Sequence, residues 1–377
     1  MPVHLGKRLS IWSDRMIHDK FNSTDIQGSL DELSHTGGVL RLCSGCYDIS
    51  APLVLDASSL CLDGGVWACN TDPNGVFESK YGTKLRARGK DFPLLAMGRQ
   101  CDPISGATLR NLGFQGDIPG MDTRPLVDFD HPEKAAGVCF DKVRTDQCEF
   151  SKLAFCGLAN GIAVTGNAEL DACLFDGLNL DGCGNGVWFS PRASYYTRFR
   201  SCVVADNPYY GFYLGGKGKQ IQNLELRECY FVRNGGAFND DVGQQPAAVF
   251  FDGASQCAIS SCIFDAPGTF WYYEEEATEN NERQPSKIRI PALRIVGDQN
   301  RICNNTFLNS SAESIQVCGN GNILMGNIAD GDVYICGEGN VVSSLVFTTS
   351  DARLVLEGAA KTTTILHDVE DWRVIRK

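Results

Sequence analysis

Basic residues are scarce in this chain: 34 Lys and Arg stand against 46 Asp and Glu, a formal net charge of −12. That balance opposes a nucleic-acid or anionic-membrane partner, since both bind through basic surfaces. No apolar run approaches the roughly 18 residues of a membrane span. The opening stretch, "MPVHLGKRLSIWSDRMIHDK", lacks the apolar centre of a secretory signal, so a cytoplasmic location is expected. Histidine occurs only five times. None completes a ligand set with "CSGC" (Cys43, Cys46) or "CLDGGVWAC" (Cys61, Cys69), so no metal site is expected. No organic cofactor is expected either.

Cysteine, by contrast, is abundant, with 17 copies. An odd number, no signal and a chain large enough to need no staples read as reduced, mostly buried thiols. Their placement is regular. "LDACLF" (170–175), "FRSCVV" (199–204), "LRECYF" (226–231) and "ISSCIF" (259–264) each put cysteine fourth in a strand-like hexamer. "ICNNTF" (302–307) places Asn305 there and "ILMGNI" (323–328) places Gly326. A second strand type follows each: "GVCFD" (137–141), "GIAVT" (161–165), "GVWFS" (186–190), "GFYLG" (211–215), "AVFFD" (248–252), "ALRIV" (292–296), "SIQVC" (314–318) and "DVYIC" (332–336). Repeats of roughly 20 to 50 residues mark stacked architectures. Two strand types alternating without a helical pattern between them specify coils.

The expected fold is all-β: a single-stranded right-handed parallel β-helix with a short N-terminal capping helix. Like residues then stack about 4.8 Å apart. Cys173, Cys202, Cys229 and Cys262 are expected to form one internal ladder, extended by Asn305, with cysteine small enough to stack where the coil bends. One domain spans 1–377, with the capping helix at about 20–36, coils over 37–347 and a C-terminal coil and cap over 348–377. Ile26, Leu30 and Leu33 lie at helical spacing. Long loops are expected at 115–136, 232–247 and 265–291.

A short helix, then "GGVLRL", a small-residue turn, "GCYDIS" and "LCLDGG" resemble the beginning of the pectin-lyase-like β-helix superfamily. Cys43 and Ser44 stand where members usually have proline. The resemblance implies a carbohydrate-active protein: a hydrolase, a polysaccharide lyase, a fructan-converting enzyme, an epimerase or a tailspike-like structural or binding protein, possible homo-oligomers (trimers) included.

The third residue of each second-type strand should face outward. Trp188, Tyr213 and Phe250 then form a column, ending at Arg294 and Gln316, that is either open for sugar rings to stack on or covered by a long loop or a partner subunit. Beside it the 232–247 loop brings Asp240 and Asp241, and the 265–291 loop brings Trp271, Tyr272 and Tyr273 before Glu274, Glu275 and Glu276. Asp252 adds a carboxylate at the fifth position of "AVFFD". Two carboxylates beside aromatic faces suit glycoside hydrolysis, so the catalytic pair is expected among Asp240, Asp241, Asp252, Glu274, Glu275 and Glu276, acting on an oligo- or polysaccharide. "DFDHP" (128–132), the only histidine adjacent to paired acids, is expected at an end or rim of the groove. A calcium-dependent lyase would instead use Arg294, Arg289 and Lys287, with Asp240 and Asp241 as ligands. The rung order also resembles fructan enzymes that make or open difructose anhydrides. Their two acids flank a turn like "DGCGNG", where this chain has Ala172 and Trp188.

Overall fold

The computed structural model describes residues 14–17, 23–66, 82–98, 103–117, 123–215, 218–237, 246–272, 284–366 and 374–377. They form a right-handed parallel β-helix. Helix α1 (Ser23–Ser34) covers its first coil with Ile26, Leu30 and Leu33, all buried. An unforeseen strand, Asp14–Ile17, pairs in parallel with Gly38–Leu42.

Each hexamer read as one strand is two strands meeting at a corner. "LRECYF" divides into Glu225–Arg227 and Tyr230–Val232. At the corner Glu228 is left-handed (φ 55°) and Cys229 turns inward. Ser201, Ser261 and Asn304 repeat this at φ 53°, 55° and 56°, ahead of Cys202, Cys262 and Asn305. A left-handed L-residue costs roughly 1 kcal/mol or more, so the corner persists because stacking over-determines it.

The register corrects the single cysteine ladder. Val203 pairs with Tyr230, and Tyr230 with Ile263, which puts Cys202, Cys229, Cys262 and then Asn305 in line. Cys173 belongs to a different corner, above Thr197 and below Cys148. Its coil places Leu178 over Cys202 instead. The misreading has a physical cause: two corners of each coil carry the same signature, a left-handed residue followed by a small inward one. A second correction shifts the position by one residue. Gly326 (φ 66°) is the left-handed residue, and Asn327 is the inward one beneath Asn305.

In the lower coils asparagine replaces cysteine at both corners. Asn322 Oδ1 accepts from Asn300 N at 2.9 Å and Nδ2 at 3.1 Å, and Asn340 Oδ1 accepts equally from Asn322. Asn305 and Asn327 repeat the arrangement. These amides are buried, and the ladders satisfy backbone donors that the corners would otherwise orphan. Between the corners, aromatic rings fill the cylinder: Phe150, Phe175 and Phe199 stack at 4.7 and 4.4 Å.

The second strand type builds a separate 12-stranded sheet. Its strands are β1 (Leu53–Leu55), β2 (Leu95–Met97), β3 (Ala136–Phe140), β4 (Asn160–Val164), β5 (Asn185–Phe189), β6 (Phe212–Gly215), β7 (Val249–Asp252), β8 (Leu293–Val296), β9 (Ile315–Cys318), β10 (Val333–Cys336), β11 (Leu354–Glu357) and β12 (Val374–Arg376). The 265–291 segment, expected as a loop, carries an antiparallel pair, Thr269–Tyr272 with Gln284–Lys287.

Candidate functional site

Down the outer face of the 12-stranded sheet, the third positions align in one column. Ala96, Cys139, Ala163, Trp188, Tyr213, Phe250, Arg294, Gln316 and Tyr334 are successive partners. The column is not an open aromatic platform. Trp188 is 8% exposed and Phe250 3%, because Phe129 packs on Trp188 at 5.7 Å and Tyr210, Ala247 and Ile288 close over the rest. A small second core therefore sits outside the cylinder and divides the face in two.

On its C-terminal side Tyr213, half-buried, hydrogen-bonds Asp252. Burial, then the Asp252 charge and that hydrogen bond, push the Tyr213 phenol up to about 12. The Arg294 guanidinium lies 5.5 Å from the Phe250 ring centre, with its Nε buried and without a hydrogen-bond partner among the described residues. Gln316 follows on the next rung. Asp240, Asp241, Glu274, Glu275 and Glu276 lie outside the described residues. So do the side chains of Trp271 and Tyr272, whose backbone belongs to the hairpin.

The N-terminal side holds a groove that the aromatic column did not announce. A cavity of about 400 Å³ is lined by Asp130, His131, Glu133, Asp141, Trp188, Ser190 and Lys219, among others. A second of about 250 Å³ continues it over Ala96, Met97 and Cys139, sharing Glu133 and Asp141. Small third-position residues make this room: alanine and cysteine leave a trough where Trp188 fills one. Both carboxylates lie close enough to Cys139 that their charges add to burial in pushing its thiol up.

Each wall has a structural reason. Asp141 directly follows β3 and accepts from Thr165 Oγ1 at 3.1 Å. It packs against Gly166 (φ 60°), where an added Cβ would stand 2.4 Å from Asp141 Oδ1. The opposite wall is the "DFDHP" insertion, fixed at three points. Pro132 O accepts from Asn160 Nδ2 at 2.8 Å, and Asn185 Nδ2 donates to Asn160 Oδ1 at 2.9 Å. Val127 seats over Gly184, where a Cβ would meet its Cγ2 at 2.2 Å. Phe129 lies against Trp188 and Tyr209. Within the insertion Asp128 accepts from the Asp130 and His131 amides at 3.1 Å. Although partial burial opposes it, hydrogen bonds from Lys134 and those amides hold the Asp128 carboxyl below its usual range. His131 Nδ1 is 3.3 Å from Glu133 Oε1.

Lys219 closes the groove on the Trp188 side. Its Nζ donates to Ser190 O and Oγ, each at 2.6 Å, and burial pulls its pKa down. The groove thus brings together two carboxylates, an imidazole paired to one of them and a positioned ammonium: groups able to act as acid, base and anion binder. Among the described residues no three His, Cys, Asp or Glu side chains converge to hold a metal ion. Glu133 could not have been found from strand period, but Asp141 could. It holds the same fifth position in "GVCFD" that Asp252 holds in "AVFFD".

A family model described as "Right handed beta helix region" matches residues 160–344. No curated protein matches the chain in sequence. Among solved structures the chain is similar to DFA-IIIase from Arthrobacter chlorophenolicus A6 in complex with GF2, with a TM-score of 0.66, 14% identity, and 93% of this chain and 90% of that one covered. The same enzyme without its lid, in complex with GF2, gives a TM-score of 0.66, 13% identity, and 97% and 99% coverage. Geobacillus virus E2 ORF18 gives a TM-score of 0.53 at 14% identity, covering 86% of this chain. The chain spans 59% of the length of that viral protein. At such identities the likenesses report architecture: a coil-upon-coil right-handed β-helix along most of the chain.

Proposed function

We propose that this chain is a carbohydrate-active enzyme that breaks or rearranges a glycosidic bond in a fructose-containing oligosaccharide, with Glu133 and Asp141 as its acid and base. The observation that carries the reading is the pair itself: two carboxylates lining one groove, near Cys139 and beside Trp188. The choice of sugar is supported by the likeness to DFA-IIIase structures, which extends over most of both chains. A general hydrolase with the pair among Asp240, Asp241, Asp252 and the Glu274 to Glu276 run is the less supported alternative.

Glycosidic cleavage needs a proton delivered to the leaving oxygen and a carboxylate opposite it. The carboxylate either deprotonates the incoming hydroxyl, from water or from the neighbouring sugar, or captures the glycosyl cation. Glu133, positioned by its contact with His131 at 3.3 Å, is assigned as the acid. Asp141, held by Thr165, suits the base. Lys219 and Ser190 supply hydrogen bonds to sugar oxygens, and Trp188 forms the apolar end wall.

The test is chromatography of a fructan oligosaccharide panel, including a difructose anhydride, after incubation with wild type, Glu133→Gln and Asp141→Asn. Turnover by the wild type that falls at least about 100-fold in both variants, the scale of a lost acid or base, supports the reading. Full activity in both variants would remove the pair. An unsaturated product formed only without EDTA would make the protein a calcium-dependent lyase.

A further inference from the structure

On the same face, at the last residues of β9 and β10, Cys318 and Cys336 are direct register partners. Both are partly exposed and reduced. Each lies close enough to the other for its charge to act on its neighbour's thiol. The other stacked thiols, Cys148 with Cys173 and Cys202 with Cys229 and Cys262, lie in the sealed cylinder at 0 to 2% exposure. Among the described residues, thiols on adjacent rungs thus occur in two environments, and solvent reaches only the Cys318 and Cys336 pair.

We propose that Cys318 and Cys336 are a redox modification site that closes to a disulfide on reaction with a small-molecule disulfide of the glutathione type. In-register parallel strands stand about 4.8 Å apart, within the Cα range of disulfides, though the Cβ atoms must approach by about 1 Å. The position permits that movement. Each cysteine ends its strand and is followed by glycine, Gly319 and Gly337, the latter at φ 123°. Burial, then the neighbouring Cys336, push the Cys318 thiol up, and the Arg294 guanidinium opposes them.

The step balances as ordinary exchange. One protein thiolate attacks a sulfur of oxidised glutathione, its S–S bond breaks, and one glutathione leaves and takes up a proton. The second cysteine loses its proton, attacks the mixed disulfide and releases the second glutathione. Two protein thiols are oxidised and one glutathione disulfide is reduced to two thiols. The new bond ties the Gln316 rung to the Tyr334 rung. A bond formed under such geometric strain is readily reduced again, which is the character of a reversible site.

The experiment treats the reduced full-length protein with oxidised glutathione, blocks remaining thiols and maps peptides without reduction. Cleavage before Asp330 and Asp332 separates the two cysteines. Exposed Cys46, within the charge field of Asp48, Arg86 and Lys84, reports that oxidant reached the protein. The expected result is a peptide pair joined through Cys318 and Cys336. In Cys318→Ser that pair is lost and Cys336 carries glutathione instead. Glutathione on Cys46 with Cys318 and Cys336 unlinked, as free thiols or each separately capped, would overturn the proposal. So would a link at Cys336 that survives in Cys318→Ser.

Discussion

Replacing Asn160 by alanine would leave the Pro132 carbonyl without its donor and Asn185 Nδ2 without its acceptor, both in buried surroundings. Unmet buried polar groups cost about 1–3 kcal/mol each. The loss falls on the insertion that carries His131 and Glu133. Asn160→Ala is therefore expected to lower the melting temperature modestly, and to speed proteolysis between residues 123 and 135 well before the coils are cut. Unchanged cleavage there would show that Asn160 does not hold the wall. Gly166→Ala probes the other wall, since its Cβ would meet the Asp141 carboxylate at 2.4 Å and its φ is 60°. Activity on the oligosaccharide panel is expected to fall more than stability does. At this scale the sequence was partly legible. Asp141 and Asp252 share a strand position, and "DFDHP" was visible as a rim. That Trp188 and Phe250 could be covered by a loop was one of two open readings, but what covers them was not legible. Their burial is imposed by Phe129, Tyr210 and Ile288, which come from segments with no period to place them.

Corners, not strands, are the elements that make this fold specific. A left-handed residue followed by a buried cysteine or asparagine recurs in coil after coil, and the asparagines carry hydrogen bonds both between rungs and into the backbone. Asn322 accepts from Asn300, donates to Gly297 O at 3.1 Å and gives its own amide to Asn340. Asn322→Ala is expected to destabilise by at least about 2 kcal/mol, because it orphans several groups of one network at once. Cys229→Ala, which removes only a small group from contact with Cys202 and Cys262, is expected to cost less. Chemical denaturation of the two variants reads the difference, and equal costs would deny the ladders their structural weight. The second-type strands and their facing were legible because period two is strong over five residues, whereas the two strands inside each hexamer were read as one. Which corner a cysteine occupied was not, since both corners share one local signature and only long-range register separates Cys173 from Cys202.

For the whole molecule, acid stability turns on carboxylates like Asp63. Burial alone would raise its pKa. Hydrogen bonds from Asn111, the Gly65 amide and Arg110 outweigh this, and the folded value lies below the ordinary 3.8. Asp48, held by Arg86 and Arg88, is lowered in the same direction. A group depressed on folding stabilises fully above its unfolded pKa, and that contribution is lost as pH falls through the folded one. The melting temperature is expected to hold above about pH 4 and to fall steadily below it, with Asp63→Asn flattening the slope. A slope unaltered in the variant would place the acid sensitivity elsewhere. Because each rung touches only its neighbours, opening is expected to start at the ends. Amide exchange should be fastest around Val374–Arg376 and slowest near Asn185–Phe189.

The corners have a further consequence for how long such a molecule has to be. Gly321 (φ 64°) precedes Asn322 and Gly339 (φ 63°) precedes Asn340, with the two asparagines 18 residues apart. Excising 322–339 would join Gly321 directly to Asn340, leaving a left-handed glycine followed by an inward amide and the same cross-section above and below. Length here is a quantity counted in whole turns, adjustable like the links of a chain, while the diameter and the groove-bearing face keep their dimensions.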